Sequence, residues 1–190
     1  RVTQLLGEML VAAGAVTEFR ATLTPCGAGL WSRWAVCVGQ KGIYFLTKDG
    51  ISVTAGGESV SVTDQDLYPL FPHEGIAGQS VNGYAPPDMT QVTALQLSAQ
   101  GGYVFFDYLD INGASRSLVY AEAMNAWFPD VYATGVGGRF ATTGETEYRM
   151  LVGTRDNRLV EVSPTTTDVG TAIACQVRTP SETMGDPRLL

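Results

Sequence analysis

The single histidine of the chain, His73, lies in "PLFPHEG" between Pro72 and Glu74. An imidazole works as a catalytic base only beside a positioned hydroxyl or thiol and an orienting acid. No serine or cysteine stands in a nucleophile-elbow context, so His73 reads as a loop residue. In "DYLDING", Asp107 to Gly113, the residues Asp110, Asn112 and Gly113 match three positions of a calcium loop. The first ligand position is Tyr108 and Val119 stands where the distal glutamate belongs, so a hairpin turn is expected instead. "GGRFATTGET", Gly137 to Thr146, has glycines like those of a phosphate loop, but the spacing is wrong and Glu145 replaces the lysine that would neutralise phosphate. Nucleotide binding is not expected.

Four carboxylates, Glu58, Asp64, Asp66 and Glu74, lie close together in sequence, yet nothing in their spacing selects a pair that could flank a glycosidic bond. The turn "TKDG", Thr47 to Gly50, resembles an Asp-box turn and lacks the tryptophan that should follow it. Trp31, Trp34 and Trp127 adjoin strand starts, where aromatics usually pack in a core; stacking on a sugar is the other reading. The three cysteines, Cys26, Cys37 and Cys175, show no CxxC spacing and no neighbouring histidines, which implies neither a zinc site nor a full disulfide framework. The expectation is a protein without catalytic residues, cofactor or metal.

The elements that would position these groups are short strands. The chain has 190 residues, 45% of them hydrophobic, with 22 glycines and a net charge of −7. That composition supports a sizeable core, and with almost no extended helical periodicity it points to an all-β class. The acidic balance argues against a surface that grips nucleic acid. The apolar run from Leu10 to Val16 is too short to span a membrane.

"KGIYFLTKDGISV", Lys41 to Val53, reads as a β-hairpin: an apolar run, a polar break ending in Asp49 and Gly50, and a second apolar run. Two further hairpins follow, Tyr103 to Ala121 around Asn112 and Gly113, and Tyr148 to Pro164 around Arg155, Asp156 and Asn157. The second and third turns lie about 45 residues apart, the period of a four-stranded propeller blade. Outer strands are expected in "RWAVCVGQ", "SVSVTD", "TALQLSAQ" and "NAWFPDVYATG".

The reading is therefore propeller-like blades of four-stranded antiparallel sheets over residues 26–174, part of a larger propeller. Residues 64–90, with Pro69, Pro72, Pro86, Pro87 and two glycine turns, form an insertion loop that opens on a short helix capped by Thr63 or Asp64. Residues 1–25 fit a helix over Leu5 to Ala13 or a strand equally. Residues 175–190 read as an exit towards a following domain, and the chain as a segment of a longer polypeptide.

The order of "CGAGLWSRWAVCVGQKGIYFLTKDGISVTAGG", "LYPLFPHEGIAGQSVNGY", "VFFDYLDINGASRSLVYAEAMNAWFPDVY" and "ACQVRTPSETMGDPRLL" resembles the propeller region of tail proteins of short-tailed bacteriophages, the group that includes the packaged-DNA stabilisation protein and the nozzle, or tubular tail protein. That resemblance implies a non-enzymatic virion component, assembled in the host cytoplasm. It implies a ring, a hexamer, below the portal and adaptor, meeting tail fibre or spike proteins and conducting packaged DNA without reading its sequence. An acidic propeller suits such a conduit, because like charge discourages a passing duplex from sticking.

Within the insertion, Tyr68, Phe71 and His73 are the candidate contacts with a neighbouring subunit or partner, stiffened by Pro69 and Pro72. A loop folded against its own blade is the alternative. A carbohydrate-binding or depolymerising propeller is the competing function.

Overall fold

The computed structural model describes residues 26–132, 135–143 and 148–162, with the strand backbone of residues 6–7, 21–22, 167–168 and 171–172. The described part is all-β, with three antiparallel sheets that follow one another along the chain. The first comprises β1 (Val36–Val38), β2 (Ile43–Leu46), β3 (Ile51–Thr54) and β4 (Val60–Ser61). The second comprises β5 (Gln96–Gln100), β6 (Tyr103–Leu109), β7 (Ser115–Ala121) and β8 (Ala126–Asp130). The third has β9 (Val136–Thr143), β10 (Tyr148–Thr154) and β11 (Leu159–Val162). Each sheet is a meander in which every strand pairs with its sequence neighbour. All four outer strands expected from the sequence are present, whereas β9, in a stretch weighed only as a phosphate loop and set aside, was not anticipated.

The turns explain why the strands reverse where they do. Leu46 faces Ile51 across the first hairpin, and the Thr47 amide donates to the Gly50 carbonyl at 2.7 Å. The Thr47 hydroxyl donates to the same carbonyl at 2.9 Å and accepts from the Asp49 amide at 3.2 Å. Within this turn only Gly50 takes a positive φ, of 143°, and a Cβ there would overlap the Thr63 hydroxyl. That hydroxyl is no helix cap: it accepts the Ile51 amide proton at 3.2 Å. In place of a capped helix, a single 3-10 turn spans Tyr68–Leu70 without a side-chain cap.

The second and third hairpins share one turn geometry. The Asp110 amide donates to Ala114 O at 2.8 Å and the Gly113 amide to Asp110 O at 2.8 Å; the Thr154 amide donates to Arg158 O at 2.8 Å and the Asn157 amide to Thr154 O at 3.1 Å. Gly113 and Asn157 take the left-handed conformation at the same point of each loop, φ 80° and 65°. The equivalent residues Asp110 and Thr154 lie about 44 positions apart, so the repeat is one of backbone conformation as well as of pattern.

The core lies between the first two sheets. Tyr44, Leu46 and Ile51 meet Leu97, Val104, Phe106, Tyr108, Leu118 and Tyr120, and Leu67, Leu70 and Phe71 of the insertion close one side. Phe106 stacks on Tyr108 at 4.9 Å and lies 5.9 Å from Phe71. Burying each such ring is worth about 1.5–3 kcal/mol. The leading strands run side by side, β5 beside both β1 and β9, and the Leu97 amide donates to Trp34 O at 3.1 Å.

The insertion is folded onto this core. The Asp88 amide donates to Leu109 O at 2.9 Å and the Ile111 amide to Pro86 O at 3.0 Å, tying it to the β6–β7 turn. Its two glycine turns are miniature hairpins: His73 pairs with Ile76 and Val81 with Tyr84, and Glu74, Gly75, Asn82 and Gly83 all have positive φ. At the N-terminus Leu6–Gly7 pairs with Ala21–Thr22 as a short strand ladder. The rest of the alternative read for residues 1–25, the third cysteine and the exit segment 175–190 lie outside the described residues.

Candidate functional site

The three loop residues singled out from the sequence separate. Phe71 is fully buried, a core side chain against Phe106. It therefore offers no surface to a partner, which corrects its selection as a contact; an aromatic between two prolines in a polar loop gave no local sign that the loop folds inward. Tyr68 remains 37% exposed, and its ring packs at a tilt against His73, centroids 4.0 Å apart. The His73 Nδ1 lies 3.0 Å from Phe71 O, which commits the imidazole to its own loop. Glu58, Asp64, Asp66 and Glu74 are all exposed.

The tryptophans divide too. Trp127 packs against the core and donates its indole N–H to Val62 O at 2.7 Å, as core packing predicts. Trp31 and Trp34 are 44% and 50% exposed, contrary to that expectation. They precede β1, which is an edge strand of its own sheet among the described residues.

The densest polar arrangement involves residues the sequence had left unassigned. Gln96, Asp107, Ser117 and Asp130 face one another in register across all four strands of the second sheet. Arg139 of β9 reaches into this row. Its Nε and Nη2 donate to the two Asp107 oxygens at 2.7 and 3.0 Å, and Nη2 also donates to Ser117 Oγ at 2.6 Å and Asp130 Oδ2 at 2.8 Å. Nη1 donates to the Tyr132 hydroxyl at 2.9 Å, and the guanidinium carbon lies 4.3 Å from the Phe105 ring centre. Burial works against the charge of Arg139, but the Asp107 carboxylate outweighs it and raises the pKa. Asp107 was legible as a carboxylate inside the apolar strand "VFFDYL", which demands a partner; nothing local to "GGRF" identified that partner.

Glu122 forms a second buried polar site. Its carboxylate accepts the Gln40 and Lys41 amides at 3.1 and 3.0 Å and the Tyr44 hydroxyl at 2.8 Å, joining the β7–β8 turn to the β1–β2 turn. Burial pushes its pKa up, and these donors more than reverse that, leaving it below the ordinary value. The nearby Cys37 thiol is pushed up to about 12 by burial and then by the Glu122 charge, which makes it a poor nucleophile at neutral pH. Asp110, the residue of the partial calcium pattern, spends Oδ1 on the Asn112 and Ala114 amides and Oδ2 on Arg116. The turn reading holds.

A cleft of about 290 Å³ opens where the leading strands converge. It is lined by Trp34, the stretch from Gln96 to Ser98, Gly137 and Gly138, and the pair of Asp107 and Arg139. Among the described residues no group of three or more His, Cys, Asp or Glu side chains could hold a metal ion, and no helix is long and apolar enough to cross a membrane. The chain matches no protein-family profile, no curated protein and no solved structure.

Proposed function

We propose that the three sheets are successive blades of a β-propeller and that the chain is a structural, non-enzymatic part of a bacteriophage tail nozzle or hub. The observation that carries the blade arrangement is the repeated meander, with the same turn at Asp110 and Thr154 and leading strands side by side. The virion role rests on the ordered resemblance of the first three signatures, which coincide with β1 to β3, the insertion, and β6 to β8. In this reading a ring, a hexamer, sits below the portal and adaptor, meets fibre or spike proteins, retains packaged DNA and conducts it during ejection. The buried clamps at Arg139 and Glu122 suit that task, because they join sheets by directional contacts that resist sliding. Tyr68 and His73 remain the part of the insertion available to a neighbour.

Native mass spectrometry of the protein tests the assembly. A closed oligomer, six subunits, is the expected result; a monomer at micromolar concentration refutes it.

A second reading, a glycan-binding propeller, is favoured by one observation: Trp31 and Trp34 are half-exposed in place of being packed in the core.

A further inference from the structure

The chain holds four asparagines, Asn82, Asn112, Asn125 and Asn157, and the first two are followed by glycine. An asparagine side chain is open to attack by the backbone nitrogen of the next residue, and glycine presents that nitrogen without a side chain to hinder it. The two reacting groups are already joined, so only the local backbone must turn to bring them together. What separates one asparagine from another is how firmly that nitrogen and its turn are held.

Three of the four are held. The Gly113 amide donates to Asp110 O at 2.8 Å, and the Asp110 carboxylate accepts the Asn112 and Ala114 amides at 2.9 and 2.8 Å and Arg116 Nε at 2.9 Å. Asn157 is followed by Arg158, whose amide donates to Thr154 Oγ1 at 3.3 Å. Asn125 is followed by Ala126, which opens β8 opposite Ala121. Its own Oδ1 accepts from Lys41 Nζ at 2.5 Å and from the Tyr120 hydroxyl at 3.0 Å.

Asn82 differs. It and Gly83 are exposed and form the two-residue reversal of a miniature hairpin, with φ of 50° and 84°. The Val81 and Tyr84 amides each donate to the other's carbonyl at 2.9 Å, while the Gly83 amide donates to no protein acceptor among the described residues. A turn closed by so few bonds opens at little cost in free energy.

We infer that Asn82 is a site of spontaneous deamidation, favoured over Asn112 by the fold. The Gly83 nitrogen gives up its proton to solvent and bonds to Asn82 Cγ, and the side-chain nitrogen leaves as ammonia, which closes a succinimide ring. Water then adds to one of the two ring carbonyls and opens it to aspartate or isoaspartate, with no change of oxidation state. Either product adds one negative charge. In isoaspartate the main chain runs through the former side chain and gains a methylene, which the two-residue reversal cannot absorb. The mutual bonds of Val81 and Tyr84 are then lost, and Tyr84 is freed from the Arg116 guanidinium, whose carbon lies 5.5 Å from its ring centre. The inference rests on neither the nozzle nor the glycan reading.

The test is incubation of the folded protein at pH 8, followed by peptic digestion in acid and fragmentation mass spectrometry of the peptides that carry each asparagine. A parallel sample in urea removes the fold and leaves only the two Asn-Gly sequences. The unfolded chain should deamidate at Asn82 and Asn112 at similar rates. In the folded protein Asn82 should react faster than Asn112 by about tenfold or more, because the Asp110 contacts must break before Gly113 can attack. Asn112 reacting as fast as Asn82 in the folded protein overturns the inference. So does a folded protein in which Asn82 stays intact while it reacts in urea.

Discussion

The second sheet has two faces that solve the same problem in opposite ways. Towards the first sheet it presents Leu97, Val104, Phe106, Tyr108, Leu118 and Tyr120, a buried apolar surface. Towards the third it presents Gln96, Asp107, Ser117 and Asp130, closed by the guanidinium of Arg139. The first face is non-directional and tolerates small shifts, since its free energy follows buried area. The second is directional: one cation holds three strands at fixed distances, and its desolvation is repaid only in that geometry. The chain thus gains affinity between sheets on one side and register on the other.

Replacing one side chain on each face separates these roles. Phe106→Ala should cost the most, about 3–5 kcal/mol in urea unfolding, because the space it leaves adjoins Phe71 and Tyr108 and cannot collapse easily. Arg139→Met should cost about 3 kcal/mol, since Asp107 is then buried without its cation. The double variant Arg139→Met with Asp107→Leu should recover most of that loss, to within about 1 kcal/mol of the parent, while loosening the placement of the third sheet. Amide hydrogen exchange in β9 and β10 would register the loosening; protection unchanged from the parent would mean that the row does not set register.

The Glu122 clamp, which belongs to the apolar side, gives a smaller and pH-dependent effect. Glu122→Gln should cost about 1–2 kcal/mol at pH 7, because a neutral acceptor replaces a charged one for three donors. Folding lowers the Glu122 pKa from its ordinary 4.5, so the folded state takes up that proton less readily than the unfolded chain. Its contribution is present in full above about pH 4.5 and is lost as pH falls through the lowered folded value. The parent and the variant should therefore converge in stability at low pH. Asp110, held down likewise by its amide and Arg116 contacts against burial, adds to the same acid limb. The smallest effect concerns Cys37: in folded protein at pH 8, iodoacetamide should leave it unmodified, with the thiol pushed up to about 12. Peptide mapping by mass spectrometry checks this.

Much of the strand plan was legible because alternation and turn residues are local signals. "GIYFLTKDGI" and "YVFFDYLDINGASRSLVYA" carry their own apolar runs and breaks, and strands formed where they stood. What escaped depended on neighbours distant in sequence. β9 was hidden because Gly137, Gly138 and Arg139 look like a loop until the second sheet supplies the carboxylates. The Asp107 to Arg139 pair spans 32 positions, a distance set by sheet packing. Phe71 looked like a surface anchor because nothing in "LYPLFPHEG" shows that the backbone of the insertion is pinned to the β6–β7 turn. Trp31 and Trp34 adjoin a strand, as core aromatics do, but that strand is an edge.

The proposal that these sheets are blades in a ring through which DNA passes is tested most directly by cryo-electron microscopy of the assembly that the native protein forms. The account predicts that the three sheets fit density forming a six-fold ring coaxial with a DNA channel below a portal. Density for the chain that is peripheral or monomeric, away from any channel, would contradict it.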